Sequence, residues 1–336
     1  MSLNKKISLF IILILVVLGG FFYFRNEVYY SHGSYAGQKL FTISQGEGNA
    51  EIAGRLESEG LVVGKYYFYY YIRTHGLLNE IMPGDYQLSG SLTIPEISHI
   101  ITNAQQKFVK VTFPEGFTAV QMAARLTASG LPGDQFLQIV DNPGNLKSRY
   151  GYLNNVKTLE GYLFPDTYFF KPDVSAQEIV LHLLDNFDSK LDSQMRTDIA
   201  KNNHSVANTV TMASIAQKEV QAPADMQTVA GIFWKRLAAG QKLQSDATLS
   251  YILKDKIDSH SGAALATDTP YNTYLYAGLP PGPIGNPGLE ALNAAIYPTA
   301  SDYNYFLTAT VNGQKEVFFS ATYGQQVANK AKYGVQ

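Results

Sequence analysis

The chain of 336 residues contains no cysteine, which excludes structural disulfides, a thiolate nucleophile, cysteine-ligated metals and a lipid-modified cysteine anchor. Only 16% of its residues are charged, and a net charge of -2 provides no electrostatic footprint for nucleic acid. The six histidines are scattered without an H-x-x-x-H pair, so no zinc hydrolase and no metal site is expected. G-x-S-x-G, S-x-x-K and P-loop patterns are also missing, since Ser214 and Lys218 are one residue too far apart for the second of these. No cofactor is called for. Tryptophan occurs once against 23 Tyr and 18 Phe, a balance that suits carbohydrate or extracytoplasmic surfaces.

What the chain does have begins with Ile7 to Phe24, an uncharged run of 18 residues. Crossing about 30 Å of hydrocarbon takes roughly 17 to 25 residues in a helix. Lys5 and Lys6 precede the run, and Arg25 and Glu27 offset each other after it, so residues 1–6 are expected in the cytoplasm and the remainder outside. No A-x-A-type site follows to argue for a cleaved signal peptide. Residues 25–36, Gly/Ser/Tyr-rich from Tyr29 onward, read as a linker.

An internal repeat comes next. The pattern from Gly46 through Ile52, Ala53, Arg55 and Leu56 to Gly60 and Leu61 recurs from Gly116 through Met122, Ala123, Arg125 and Leu126 to Gly130 and Leu131, at a constant offset of 70. Each copy opens with a strand-like run (Phe41 to Ser44; Val109 to Phe113), turns at Gly, and enters a short amphipathic helix closed by Gly. The first copy continues through an aromatic helix (Tyr66 to Arg73), a Pro83-Gly84 turn, the strand Asp85 to Leu88 and the helix Ile94 to Thr102. A β-α-α-β module over residues 37–107 is implied, ahead of a mixed domain over 108–336, giving an α+β fold class.

In the second domain, Pro132 to Asn145 is a turn-rich break and Thr158 to Phe170 packs aromatics around Pro165. Ala176 to Lys190 is helical, with Leu191 to Lys201 continuing it after a bend. Ser205 to Val220 reads as a helix that is apolar on two sides, through Met212, Ile215 and Ala216 and through Val206, Val210, Ala213 and Val220. Only the edge of Asn208, Thr211 and Lys218 looks solvated. Glu219 falls on the first stripe, where lost hydration disfavours its charged form and raises its pKa, as a general acid at neutral pH requires. Pro223 stops this helix and Asp225 can cap the next, whose buried face is Met226, Val229, Ala230, Phe233 and Leu237. Strands are expected at Tyr305 to Ala309 and Val317 to Ser320.

Spacing leaves other readings open: Glu219 could pair with Lys218 or Arg236, Asp246 could be an N-cap, Asp166 a turn residue after Pro165 and Glu160 a cap of the segment following it. The segment Gly278 to Gly288 holds four Pro and four Gly in eleven residues; Pro fixes φ where Gly frees it, so the loop is held in one shape. It reads as a groove wall, or alternatively as a polyproline ligand.

Five motifs taken in order resemble the YceG-like family of endolytic murein transglycosylases: Leu159-Glu-Gly-Tyr-Leu-Phe-Pro-Asp-Thr-Tyr168, Ala213-Ser-Ile-x-x-Lys-Glu219, Gln244-Ser-Asp-x-Thr248, Tyr271-Asn-Thr-Tyr274, and Gly278-Leu-Pro-Pro-Gly-Pro-Ile-x-Asn-Pro-Gly288. The resemblance implies a single-pass inner-membrane anchor, a LysM-like glycan-binding module and a catalytic domain that cuts glycan strands internally, outside the cytoplasmic membrane. It places the catalytic role on Glu219. It implies glycan contact or support of Glu219 by Gln244, Ser245, Asp246, Thr248, Tyr271, Asn272, Tyr274, Pro281, Asn286, Glu160, Tyr162 and Asp166. Peptidoglycan strands and the membrane are the implied partners, with peptidoglycan synthases as candidates. Two departures are visible: Gln217 stands where an upstream Glu is usual, about 200° around the helix from Glu219, and Ala247 replaces a Pro. Two rival functions stay open, a muramidase using Asp246 or Asp166 as a second carboxylate, and a non-enzymatic glycan-binding scaffold.

Overall fold

The computed structural model describes residues 3–334 other than 36, 45, 104–107, 155, 256–259 and 261, with the side chains of residues 3–11 and 13 left aside. The chain divides into two compact units, one of Met1–Val109 with Phe169–Pro172 and one of Lys110–Tyr168 with Asp173–Gln336. Mixed α and β elements, with sheets of two strands each among the described residues, make this an α+β chain.

The first unit opens with α1 (Leu3–Tyr29). Helix therefore runs through residues 25–29, where the sequence reads as linker. Residues 14–23 of α1 are all exposed. Among the described residues no helix is long and apolar enough to cross a membrane; the side chains of residues 7–11 and 13, a third of the expected span, lie outside the described residues, as do residues 1 and 2 of the expected cytoplasmic tail. Then come β1 (Lys39–Ile43), α2 (Asn49–Ser58), α3 (Lys65–Thr74), β2 (Gly84–Leu88) and α4 (Ile94–Thr102). β1 and β2 pair antiparallel with Phe41 opposite Tyr86. Alternation along both strands sends Phe41, Ile43, Tyr86 and Leu88 inward. There they meet Ile52 and Leu56 of α2, Phe68 and Ile72 of α3, and Ile97 and Ile101 of α4. α4 starts at a capping box in which Thr93 and Glu96 satisfy each other's backbone N–H.

The unit boundary divides β3 (Val109–Thr112) and β4 (Thr167–Phe170), and the second unit also uses α5 (Ala119–Ala128), α6 (Gly133–Asp141) and two 3-10 turns (Gly144–Arg149, Gly151–Leu153). β3 and β4 form the second ladder, and the hydroxyls of Thr112 and Thr167 meet at 2.9 Å. The repeat is visible in atomic detail. Helices α2 and α5 begin and end 70 residues apart, and Gly60 and Gly130 close them at φ of 70° and 77°, a left-handed turn that glycine adopts without a Cβ clash. Arg55 donates to Thr42 O and Arg125 to Thr112 O, each at 2.9 Å, so in both copies an arginine ties its helix back to the preceding strand.

The remainder is α7 (Ala176–Lys190), α8 (Ser193–Lys201), α9 (Val206–Glu219), α10 (Pro223–Ala238), α11 (Asp246–Leu253), α12 (Leu289–Ile296), the hairpin β5 (Tyr305–Val311) and β6 (Gln314–Ser320), and α13 (Tyr323–Tyr333). α8 is a separate helix rather than a continuation of α7, because the Asp192 side chain accepts from Met195 N at 2.8 Å and caps a new start. α10 starts on Ala222 without a side-chain cap, with Pro223 in its first turn and Asp225 inside that turn. α9 packs against α10 and α12, and everything from Thr209 to Ala216 is buried. Thr211, expected on a solvated edge, is buried too, its hydroxyl satisfied by Ala207 O at 2.8 Å.

Candidate active site

Burial of α9 is what sets the state of Glu219, its last helical residue. As a residue Glu219 is half-buried, yet its carboxyl is enclosed strongly enough that desolvation dominates and pushes its pKa up to about 7. The negative charge of Asp246 adds to the rise. Opposing it are hydrogen bonds from the Ser245 hydroxyl and the Ala247 N–H, and the nearby positive charge of Arg236. Ser245 Oγ donates to Glu219 Oε1 in a short contact. The carboxyl therefore sits at the N-terminus of α11, where unsatisfied N–H groups and the helix dipole favour negative charge. Its neutral and charged forms are nearly balanced at neutral pH, which is what a group that gives and then retrieves a proton needs. Arg236 does not pair with Glu219; its guanidinium donates to Leu243 O and to Asn304 O.

The donors are held by a segment that is itself braced. Gln244 turns at φ 54° and donates its N–H to Thr273 O at 3.1 Å, while Ser245 N donates to Thr273 Oγ1 at 3.0 Å. Thr248, fully buried, donates to Ser245 O at 2.9 Å and meets Thr273 Oγ1 at 3.0 Å. Asp246 accepts from Tyr274 OH at 3.0 Å on one oxygen and from His260 N at 2.9 Å on the other. Asn272 works inside its own loop, donating to Leu265 O and Thr267 O and accepting from Tyr274 N. The Tyr271 ring lies 5.4 Å from that of Tyr251.

A second group of the expected residues forms a latch. Asn286, fully buried, accepts from Gly161 N at 2.8 Å and Leu163 N at 2.9 Å, and donates to Phe117 O and to Glu160 Oε1. Both Glu160 oxygens also accept from Ala119 N at 3.0 Å, so Glu160 serves the first turn of the earlier helix α5, which Thr118 caps, and not the segment that follows it. Burial raises its pKa to about 7, against the pull of the Ala119 N–H, the Lys218 charge and Asn286. Gly161 (φ 91°) tolerates nothing larger, since a Cβ would come within 2.4 Å of Pro283 Cγ. The Pro-rich loop is pinned to α9 as well, by Ile284 N donating to Ser214 Oγ and Gly288 N to Gln217 Oε1, both at 3.0 Å. Gln217 is thus a loop anchor.

Of the expected site residues, Ser245, Asp246, Thr248, Asn272 and Tyr274 gather around the Glu219 carboxyl or brace what touches it, and Gln244 contributes through its backbone. Glu160 and Asn286 act one layer out. Tyr162 belongs to the core instead, its ring packed on Tyr152 and Phe187. Asp166 is a turn residue that caps Thr167 N at 2.7 Å and accepts from Asn186, and Pro281 is exposed. Sequence reasoning passed over Thr273, Ser214 and Ala247; Thr273 stands inside a quoted motif, whereas Ala247 contributes only a backbone N–H, which no residue type announces. No group of three or more potential metal-ligating side chains occurs among the described residues.

The chain resembles proteins already described. Over 305 residues it is 31% identical to a protein of Bacillus subtilis (strain 168) named "Endolytic murein transglycosylase", covering 87% of this chain and 83% of that one. A Streptococcus pneumoniae (serotype 2, strain D39) protein of the same name is 30% identical over 342 residues, covering 92% of this chain and 61% of the longer relative. A crystal structure of a yceG-like protein from Listeria monocytogenes matches at 32% identity with a TM-score of 0.61, over 88% of this chain and all of that one. With residues 41–332 matching its family model, the chain belongs to the YceG-like family.

Proposed function

We propose that the protein is a lytic transglycosylase that cleaves MurNAc-β-1,4-GlcNAc bonds inside peptidoglycan strands, with Glu219 as both acid and base. The enzyme class follows from the relatives, two of which carry the name endolytic murein transglycosylase. The observation that carries the assignment to Glu219 is its carboxyl at the α11 N-terminus, shifted to about 7 by burial and touched by the Ser245 hydroxyl. In the first step the protonated carboxyl gives its proton to the glycosidic oxygen as the C1–O bond breaks. In the second, the carboxylate removes the proton from the muramyl C6 hydroxyl while O6 bonds to C1, closing a 1,6-anhydro ring and restoring the acid. The substrate's own N-acetyl group stabilises the cationic centre between the two steps, so no second protein carboxylate is required. The aromatic residues Tyr271 and Tyr274 and the fixed Pro-rich loop are the features that support exclusion of water.

The uncharged run Ile7 to Phe24 supports a single membrane span that leaves residues 1–6 in the cytoplasm and the chain from residue 25 onward outside. The β-α-α-β order of residues 37–107 supports a LysM-like glycan-binding role, beside a catalytic domain over 108–336. Mass spectrometry of digested glycan strands tests the chemistry. Wild-type protein yields 1,6-anhydroMurNAc ends, and Glu219→Gln yields none while keeping its circular dichroism. Reducing-end MurNAc from the wild type would instead establish a hydrolase, with Asp246, beside Glu219, as the second carboxylate. Binding without any cleavage would establish a scaffold.

A further inference from the structure

Helix α3 is apolar or aromatic on two opposite sides. Phe68 and Ile72 are fully buried in the core of the first unit, while Tyr66, Tyr69 and Tyr70, at i, i+3 and i+4, are 77%, 36% and 52% exposed. The helix carries Lys65 and Arg73 at its ends and no acidic residue. A helix side facing water ordinarily carries polar and charged groups, so three adjacent exposed rings imply an occupant. The same unit indicates which one. Phe24, the last residue of the apolar run on α1, packs edge-on to Tyr70 at 4.8 Å and against Tyr67 at 5.3 Å. The tyrosines of α3 thus stand beside the end of the run, at the level where a spanning helix would leave the hydrocarbon. Residues 14–23 of α1 are themselves exposed, so apolar surface passes from α1 onto α3 through Phe24.

We infer that the tyrosine face of α3 lies in the headgroup layer of the membrane, giving the first unit a second contact with the bilayer beside α1. This rests on the membrane span proposed above. Tyrosine suits the layer because its ring is apolar and its hydroxyl can stay wet. Lys65 and Arg73 supply cations for anionic headgroups, and the missing acidic residues remove the repulsion that would oppose them.

Because the chain has no cysteine, single substitutions Leu15→Cys, Tyr66→Cys, Tyr69→Cys and Glu51→Cys each give one nitroxide site in the full-length protein. Tyr66 and Tyr69 are chosen because, unlike Tyr67 and Tyr70, they make no ring contact with Phe24. In phosphatidylcholine–phosphatidylglycerol vesicles, collision rates with oxygen and with a water-soluble nickel chelate report depth. The expected result is a label at 15 reached by oxygen alone, and labels at 66 and 69 intermediate, with a loss of nickel collisions relative to the exposed α2 position 51. Nickel access at 66 and 69 equal to that at 51, with 15 still in lipid, overturns the inference and leaves the span intact. Labels at 66 and 69 shielded from both reagents, or shielded only when glycan strands are added, put a macromolecule on this face and also overturn it. Nickel access at 15 overturns the span itself.

Discussion

The Glu219 carboxyl is held between opposing influences, and single residues set the balance. Burial and the Asp246 charge push its pKa upward, while the Ser245 hydroxyl and the Ala247 N–H pull it back, leaving it at about 7. The first step needs the protonated form, so kcat/KM should fall as pH rises through about 7. Ser245→Ala removes a donor that favours the carboxylate, so the alkaline limb should move to higher pH. Asp246→Asn removes a charge that disfavours the carboxylate, so the limb should move to lower pH. A hydrogen bond to a charged group contributes about 1.5–3 kcal/mol, so the Ser245 shift should be on the order of one pH unit. A pH–rate series on the two variants, each checked for unchanged circular dichroism, decides the matter; shifts in the same direction would mean that these residues do not act through Glu219.

Among elements, the joint between the LEGYLFPD turn and the Pro-rich loop depends on one side chain. Asn286 satisfies Gly161 N, Leu163 N, Phe117 O and Glu160 at once, and all but the Phe117 contact are buried. Asn286→Ala strands two backbone donors, so it should cost about 2–4 kcal/mol in urea unfolding and should lower activity indirectly, through the loop. Asn286→Asp keeps the acceptor but sets a second carboxylate against Glu160, and should therefore be less stable at pH 8 than at pH 6. Much at this scale was legible in the sequence. The offset-70 repeat gave both helices and their glycine stops because cap, turn and stripe are local properties, and the two apolar stripes of α9 announced its burial. What stayed hidden was long-range or carried by backbone: Ser245 reaches Glu219 across 26 residues, and Ala247 contributes an N–H that any residue but proline has. The proline usual at that position would lack it. An aromatic in a motif looks the same in sequence whether it faces a groove or packs, as Tyr162 does, on Phe187. The α13 helix has no apolar stripe to announce it, since its buried residue is Gln326 while Tyr323 and Val327 are exposed.

Across the whole molecule, the buried carboxyls should make the second unit sensitive to alkali between pH 5 and pH 8 in a way the first unit is not. In the second unit, Glu160 and Glu219 both have folded pKa values of about 7 against an ordinary 4.5. The folded state then holds protons that the unfolded chain has already lost, so the stability present below pH 4.5 diminishes as pH rises and is gone above about 7. A displacement from 4.5 to 7 corresponds to roughly 3 kcal/mol per group. In the first unit, by contrast, hydrogen bonds from the Thr93 backbone and hydroxyl hold Glu96 below its ordinary range, so its contribution is present above pH 4.5 and is lost on acidification. Amide hydrogen exchange corrected for intrinsic rates should show this directly. Between pH 5 and pH 8, protection in α9 and α12 should fall while protection in β1, β2 and α4 stays level. Replacing both Glu160 and Glu219 with Gln removes the two titrations, so the decline in the second unit should flatten in that variant. If protection in α9 and α12 falls as steeply in the double variant as in the wild type, the two buried carboxyls are not what makes this unit sensitive to alkali.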